Sequence, residues 1–126
     1  MSDPLKEIKK DRLERDAYAP ALDFLNLQHG TCAWRHNNDA IWVPKLQEWR
    51  RRACHQDGIP DLIGVKRKSD GRNVWGQAFA FEMKRPGDLK EVSEAQRRWM
   101  QRFVDCGGIG YFVDEIGEVI ESFPEI

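Results

Sequence analysis

Long apolar segments are missing from this sequence. Nowhere among its 126 residues do about 18 apolar residues follow one another, as a membrane-spanning helix would require. The opening residues, MSDPLKEIKKDRLERD, are charged throughout and lack the apolar core of a secretory signal. The sequence therefore predicts neither membrane insertion nor secretion, and we expect a cytoplasmic protein.

Cysteine is scarce as well. Cys32, Cys54 and Cys106 are odd in number and widely spaced, which is typical of reduced, mostly buried thiols rather than of a disulfide framework. Two of them could be combined with His36 and His55 into a zinc site, but the spacings match no familiar ligand pairing. We therefore interpret these residues as buried thiols and turn histidines.

No internal repeat or low-complexity linker divides the chain, so we expect one domain at residues 1–126. Its charge is unevenly spread although the net charge is only −1. Residues 45–72 carry eight Lys or Arg against four Asp or Glu, whereas residues 103–126 carry six acidic residues and no basic one. The basic middle could bind phosphate groups or could be an ordinary solvated face.

Hydrophobic periodicity and turn residues predict an α/β order of elements. The last segment, EIGEVIESF, has helical spacing, but Gly117 also allows a β-hairpin. The expected elements are a helix over Leu5–Gly30, a strand over Thr31–Arg35, a basic helix over Lys45–Cys54, a strand over Pro60–Arg67, a strand over Trp75–Lys84, a helix from the N-cap Ser93 to Gly107, and a strand over Ile109–Val113.

The stretch AFAFEMK, residues 78–84, ends an apolar strand with a charged pair. Side chains alternate between the two faces of a strand, so Phe79 and Phe81 lie on one face while Glu82 and Lys84 lie on the other. The first face is a core face. The second opens into polar surroundings, as either a salt bridge at the sheet margin or a functional site.

The preceding strand supplies a partner for this pair. An antiparallel hairpin turning near Gly71 would place Asp61 opposite Glu82, with β-carbons about 4.5 to 5.5 Å apart. Two carboxylates so close repel each other unless a cation holds them, and Mg²⁺ and Mn²⁺ prefer oxygen ligands. Alternatively, Asp61 could be a turn residue and Glu82 could form a surface salt bridge with Lys84.

In order and spacing, these residues resemble the PD-(D/E)xK nuclease superfamily and, within it, the virus-type replication-repair nuclease (VRR-NUC) family. The resemblance extends from about Glu14 to Val113 and is far more specific than the ExK pattern alone. It includes Glu14 in an N-terminal helix, Trp34–Asn37, the GIPDL segment Gly58–Leu62, the EMKRP segment Glu82–Pro86, and Gln96 in a later helix.

The resemblance implies a restriction-endonuclease-like α/β fold, with a mixed sheet of about four strands flanked by helices. It also implies a nuclease that hydrolyses DNA with Mg²⁺ or Mn²⁺. The implied catalytic residues are Glu14, Asp61, Glu82, Lys84 and Gln96, and the implied metal ligands are Asp61, Glu82 and the backbone carbonyl of Met83. Lys84 would hold or deprotonate the attacking water, and Glu14 would steady a hydrated or second metal ion.

Two of these residues have ordinary structural interpretations. Gln96 stands three positions after Ser93 and could complete a capping box, a role compatible with lining the site. Glu14 lies among other charged residues and could be a solvated helix residue.

Basic residues near the motif are candidate phosphate contacts. We expect them to be Lys66, Arg67 and Arg85, with the run Arg50–Arg52. Arg35 and the amide Asn37 could also contact phosphate, or could equally form an ordinary turn at a strand end. We interpret Trp42, Trp49 and Trp99 as core or interface residues rather than as platforms for bases.

The chain offers no separate module for reading bases, so backbone shape should select the substrate. We expect a homodimer that cuts branched DNA such as four-way junctions, because a two-fold pair presents two sites to two equivalent strands. A flap nuclease or exonuclease of the same fold, and a catalytically silent nucleic-acid-binding domain, are the alternatives. Small stand-alone members of the family suggest a phage or prophage gene.

Overall fold

The computed structural model describes residues 18–36, 41–50, 56–84 and 89–126. None of the helices in this described part is long and apolar enough to cross a membrane. The elements are α1 (18–27), β1 (Thr31–Arg35), β2 (Ile41–Val43), β3 (Glu48–Arg50), β4 (Leu62–Ser69), β5 (Val74–Met83), α2 (Glu94–Asp105), β6 (Ile109–Val113) and α3 (Ile116–Ser122), with 3₁₀ turns at Leu89–Glu91 and Phe123–Glu125.

Four of the strands form one mixed sheet in the order β1-β4-β5-β6. Strands β1, β4 and β5 are antiparallel neighbours, whereas β6 runs parallel to β5 after the α2 crossover. Strands β2 and β3 form a two-stranded sheet of their own. The fold predicted from the sequence, an α/β core with a mixed four-stranded sheet flanked by helices, is confirmed.

The core lies between one face of this sheet and the helices α1 and α3. Phe79 and Phe81 of β5 share this face with Leu62 of β4, and all three side chains are fully buried. Leu25 of α1 and Val119 of α3 belong to the same cluster. Because side chains alternate along a strand, the residues between these apolar ones face the other side of the sheet.

Helix α2 covers the opposite face where β5 and β6 lie. Met100, its buried residue, packs so closely on Gly110 of β6 that a β-carbon there would meet the Met100 sulfur at 2.0 Å. The helix begins at the predicted N-cap Ser93 and ends before Gly107, whose φ of 99° lies in the left-handed region. The last segment of the chain forms helix α3 rather than a hairpin.

The predicted helix over Lys45–Cys54 is wrong for its described residues. Residues 44–47 form a turn, with the Leu46 N–H donating to the Val43 carbonyl at 3.1 Å, and β3 follows. Pro44 suits the second position of such a turn, and Gln47 adopts a left-handed φ of 49°, which ends any helical path. The remainder, residues 51–54, lies outside the described residues.

The expectation of buried thiols is also wrong for both cysteines that the structure describes. Cys32 and Cys106 are exposed, and Cys54 lies outside the described residues. Cys32 points to the sheet face that also carries Trp34, itself 46% exposed, and Cys106 caps the solvent-facing end of α2. No cluster of three potential metal ligands occurs among the described His, Cys, Asp and Glu residues.

Gly58 fixes the distance between the loop before β4 and helix α2. Its φ is 84°, and a β-carbon there would lie 2.3 Å from the Ala95 carbonyl oxygen. Gly71, in the β4–β5 turn, has a similar φ of 93° but nothing within 4 Å. Substitution at both positions strains the backbone, but only substitution at Gly58 also creates a steric clash.

We predict that Gly58→Ala destabilises the protein more than Gly71→Ala. Both substitutions force alanine into a left-handed conformation, at about 1 to 2 kcal/mol. Only Gly58→Ala adds a clash with backbone atoms, which raises the loss by a further 1 to 3 kcal/mol or so. Urea unfolding of the two variants measures the difference, and equal losses would show that α2 does not press on this loop.

Candidate active site

Two carboxylates meet where β4 begins and β5 ends. The register pairs Leu62 with Phe81, and its continuation places Asp61 opposite Glu82, as predicted from the sequence. The Asp61 N–H donates to Glu82 Oε2 at 3.2 Å, and the Met83 N–H donates to Asp61 Oδ2, also at 3.2 Å. Each carboxylate thus accepts a hydrogen bond from the backbone of the opposite strand.

Glu82 is the buried member of this pair. The residue is only 4% exposed, and burial, followed by the charge of Asp61, raises the pKa of Glu82 to about 8. Lys84 opposes this rise, because its ammonium lies 3.7 Å from Glu82 Oε1. The Lys84 side chain is 18% exposed, so the ammonium beside Glu82 is partly shielded from water.

Gln96 connects helix α2 to the same carboxylate. Its amide nitrogen donates to Glu82 Oε1 at 2.8 Å, while its amide oxygen accepts the Ser93 N–H at 2.9 Å. The Ser93 hydroxyl in turn accepts the Gln96 N–H at 3.1 Å, which completes the capping box. The Gln96 side chain therefore completes the capping box and also contacts the Glu82 carboxylate, two roles that the sequence analysis treated as compatible.

Backbone hydrogen bonds hold four strand ends around these side chains. The His36 N–H, just after β1, donates to the Asp61 carbonyl at 2.8 Å. On the other side the Lys84 N–H donates to the Val113 carbonyl at the end of β6, again at 2.8 Å. The carboxylates thus lie at the end of the sheet where β1, β5 and β6 finish and β4 starts. We call this the carboxylate end.

The basic residues predicted from the sequence do not share one surface. Arg35, which pairs with Leu62 at the carboxylate end, stacks on the Tyr18 ring of α1 at 4.3 Å. Lys66 lies farther along β4, where its ammonium donates to the Phe123 carbonyl at 2.9 Å. Burial and then Lys68 lower the pKa of Lys66. Arg67 points to the opposite face of the strand from Lys66.

Three further predicted residues, Glu14, Asn37 and Arg85, lie outside the described residues, as do Arg51 and Arg52 of the arginine run. Sequence reasoning overlooked another basic group, the exposed arginines Arg97, Arg98 and Arg102 of α2. Their spacing contained a signal, since Arg98 and Arg102 occupy the helix face opposite Met100, with Arg97 at its flank. Glu94 forms an ion pair with Arg98 one turn along the helix.

The raised pKa of Glu82 predicts a pH-dependent stability in the metal-free protein. Between its ordinary value of 4.5 and about 8, the folded protein keeps a proton on Glu82 that the unfolded chain has released. This contribution to stability is present below the lower value and is lost as the pH rises through the upper one. The unfolding free energy should fall by at most about 1.4 kcal/mol per pH unit in this window.

Urea unfolding in EDTA at a series of pH values measures this slope. Glu82→Gln cannot titrate, so its slope should be flatter than that of the unmodified protein. Glu121→Gln, at an exposed position of α3, is the matched control and should leave the slope unchanged. Parallel curves for the unmodified protein and Glu82→Gln would contradict the assignment.

Comparison with known families identifies the site's context. The VRR-NUC domain model matches residues 11–114, which is most of the chain and includes both carboxylates, Lys84 and Gln96. Neither a curated protein nor a solved structure matches the sequence. The elements that converge on the carboxylate end all lie within the matched region, and the chain belongs to the VRR-NUC family, a family of nucleases with the PD-(D/E)xK-type fold.

Proposed function

We propose that residues 1–126 form a single nuclease domain that hydrolyses DNA phosphodiester bonds with a divalent cation, Mg²⁺ or Mn²⁺. The observation that carries this proposal is the meeting of Asp61, Glu82 and Lys84 at one end of the sheet. A carboxylate pair can hold the divalent cation that metal-assisted hydrolysis uses, and an ammonium beside it can contact the water or the phosphate. The family supports the nuclease class, and the geometry supports these residues as its site.

The residues present fit a hard cation. Asp61, Glu82 and the Met83 carbonyl would supply oxygen ligands, the kind that Mg²⁺ and Mn²⁺ prefer. Glu82 is buried beside a second carboxylate, and its raised pKa shows that its negative charge lacks full compensation. A cation would offset that charge. The described residues provide two acidic side chains here, and Glu14, the proposed third, lies outside them.

When bound, the cation would neutralise charge on the scissile phosphate and lower the pKa of an attacking water. The protein's own groups do the positioning. Lys84 Nζ, 3.7 Å from Glu82 Oε1, would hold the water or accept its proton. Gln96 orients the Glu82 carboxylate through the 2.8 Å hydrogen bond to Oε1. Gln96 lies in the first turn of α2, so a helix rather than a loop positions this contact.

We predict that substitution of Lys84 reduces DNA cleavage without reducing DNA binding. Lys84→Met keeps the apolar part of the side chain and removes the ammonium, so we expect cleavage to fall by about 100-fold or more while DNA binding is retained. The unmodified protein should cut DNA with Mg²⁺ or Mn²⁺ and be silent in EDTA. Rates on a labelled oligonucleotide, with binding measured in EDTA, test both statements.

Two controls make this result specific. Lys68→Met removes an ammonium that donates to the Ile126 carbonyl, at the opposite end of β4, and should cleave at the normal rate. Asp61→Asn should raise the Mg²⁺ concentration needed for cleavage, because an amide is a poorer ligand for a hard cation, whereas Asp70→Asn in the β4–β5 turn should not. Normal cleavage by Lys84→Met, or an unchanged metal titration for Asp61→Asn, would remove that residue from its proposed role.

We further propose a homodimer that prefers branched DNA, with a four-way junction as the leading substrate. The described residues of one chain hold one such carboxylate pair, and a two-fold assembly would present two such pairs to two equivalent strands. We expect light scattering to give a dimer, and we expect a four-way junction to be cut faster than a flap or a plain duplex under the same metal conditions. A monomer without preference for the junction would refute this prediction and leave the nuclease chemistry standing.

The proposed phosphate contacts are Arg35, Asn37, Lys66, Arg67 and Arg85, to which the exposed arginines of α2 are added. Arg35 lies at the carboxylate end, but it pairs with Leu62 and therefore points to the face of the sheet opposite to Glu82. Lys66 already donates to a carbonyl of the C-terminal segment, which favours a structural role. The same binding assay, repeated over a range of salt, distinguishes them: each lost phosphate contact flattens the slope of log affinity against log salt by about 0.9.

A further inference from the structure

The small β2–β3 hairpin presents a pair of tryptophans. Trp42 and Trp49 are directly opposed across the two strands, so both rings lie on one face of the hairpin. Their centroids are 5.6 Å apart at an interplanar angle of 60°, an edge-to-face contact. The two strands form a sheet of their own and take no part in the four-stranded sheet.

Both rings are largely open to solvent. Trp42 is 47% exposed and Trp49 is 67% exposed, and Leu46 in the connecting turn is 53% exposed. The sequence predicts core or interface residues; for these two tryptophans the core interpretation is wrong, and the interface interpretation stays a prediction. Large apolar side chains that remain exposed together mark sites where another molecule binds. The two rings contact each other and each keeps a large exposed surface.

The chain ties both ends of this hairpin to residues near the carboxylate end. It is inserted between His36, whose N–H is bonded to the Asp61 carbonyl, and Gln56, whose side chain accepts the Trp99 indole N–H at 3.3 Å. Four residues separate His36 from Ile41, so the α-carbons of His36 and Ile41 lie at most about 18 Å apart. The hairpin therefore begins within that distance of a residue that is hydrogen-bonded to Asp61.

Charge favours a polyanion as the occupant. Lys45 in the turn and Arg50 at the end of β3 are exposed cations, and the one acidic residue of the described hairpin, Glu48, is ion-paired with Arg50 at 2.7 Å. Aromatic side chains with cations nearby bind unpaired nucleotides, because every base has a π-face that can stack. In continuous duplex those faces are already stacked on neighbouring bases, so the hairpin requires an unpaired or displaced base.

We propose that the Trp42–Trp49 pair is a stacking platform for unpaired DNA bases beside the scissile phosphate, and that it selects DNA with an open base. This inference rests on the proposed function, since it takes DNA as the substrate. It names the feature of branched DNA that the protein recognises, namely the unstacked base at a branch or strand end.

The test compares binding of oligothymidylate, an abasic oligomer of the same length, and a blunt duplex, all in EDTA so that nothing is cut. The unmodified protein should prefer oligothymidylate over the abasic oligomer. Trp42→Ala with Trp49→Ala should weaken oligothymidylate binding by roughly 5- to 150-fold for each stacked base lost. Affinity for the abasic oligomer and for the duplex should change little, so the preference for bases should disappear.

Matched variants keep this test specific to the platform. Trp49→Tyr retains an aromatic face and should keep most of the preference. Trp75→Ala removes a tryptophan that is 44% exposed near the start of β5, at the other end of the strand from Glu82, and should leave all three affinities unchanged. Trp49→Ala alone, at the more exposed position, supports the conclusion if the double variant does not fold.

Two results would overturn the proposal. One is a double variant that keeps the preference for oligothymidylate over the abasic oligomer. The other is a double variant that turns a dimer into a monomer in light scattering while the preference persists, which would assign the tryptophans to contact between copies of the chain. Failure here is distinguishable from failure of the proposed function, because metal-dependent cleavage by the unmodified protein is measured separately.

Discussion

The site depends on one buried carboxylate, that of Glu82, at the end of β5. Removing a charged carboxylate from water is costly unless hydrogen bonds or a counter-charge compensate for it. Here the compensation comes from three groups: the Asp61 N–H before β4, the amide of Gln96 in α2, and the ammonium of Lys84, two positions after Glu82 itself. The first two contacts hold the start of β4 and the first turn of α2 against the end of β5. The requirement to satisfy Glu82 is therefore also what brings the proposed catalytic groups together.

The polar groups at the two ends of the sheet have different roles. At the carboxylate end, strand ends and the first turn of α2 hold polar groups toward a common point. At the other end of β4, Lys66 and Lys68 donate to the carbonyls of Phe123 and Ile126, and the Lys66 ammonium lies 4.1 Å from the centre of the Phe123 ring. These lysines anchor the C-terminal segment against the sheet. Positive charge in β4 thus contributes to folding at this end, and basic sequence composition alone overstates the surface available to DNA.

The family match and the geometry answer different questions. The match to the VRR-NUC domain identifies a nuclease, and it covers residues 11–114 without ranking their roles. The geometry distinguishes the close group, Asp61, Glu82, Lys84 and Gln96, from Lys66, which lies elsewhere. The β2–β3 hairpin is inserted between His36, bonded to the Asp61 carbonyl, and Gln56, bonded to Trp99 of α2, so the chain ties its exposed aromatic rings to the carboxylate end of the sheet.

Local patterns determined much of this structure. Alternation along AFAFEMK and the turn near Gly71 set the pairing that brings Asp61 opposite Glu82, and the Ser93 capping box and Gly107 set the bounds of α2, because both depend on residues close in sequence. Tertiary structure decided the rest. Lys66 meets Phe123, 57 positions away, and no local pattern contains that contact. The segment after Lys45 has helical composition, yet Trp49 pairs with Trp42 in a hairpin, since cross-strand contacts override weak helix propensity.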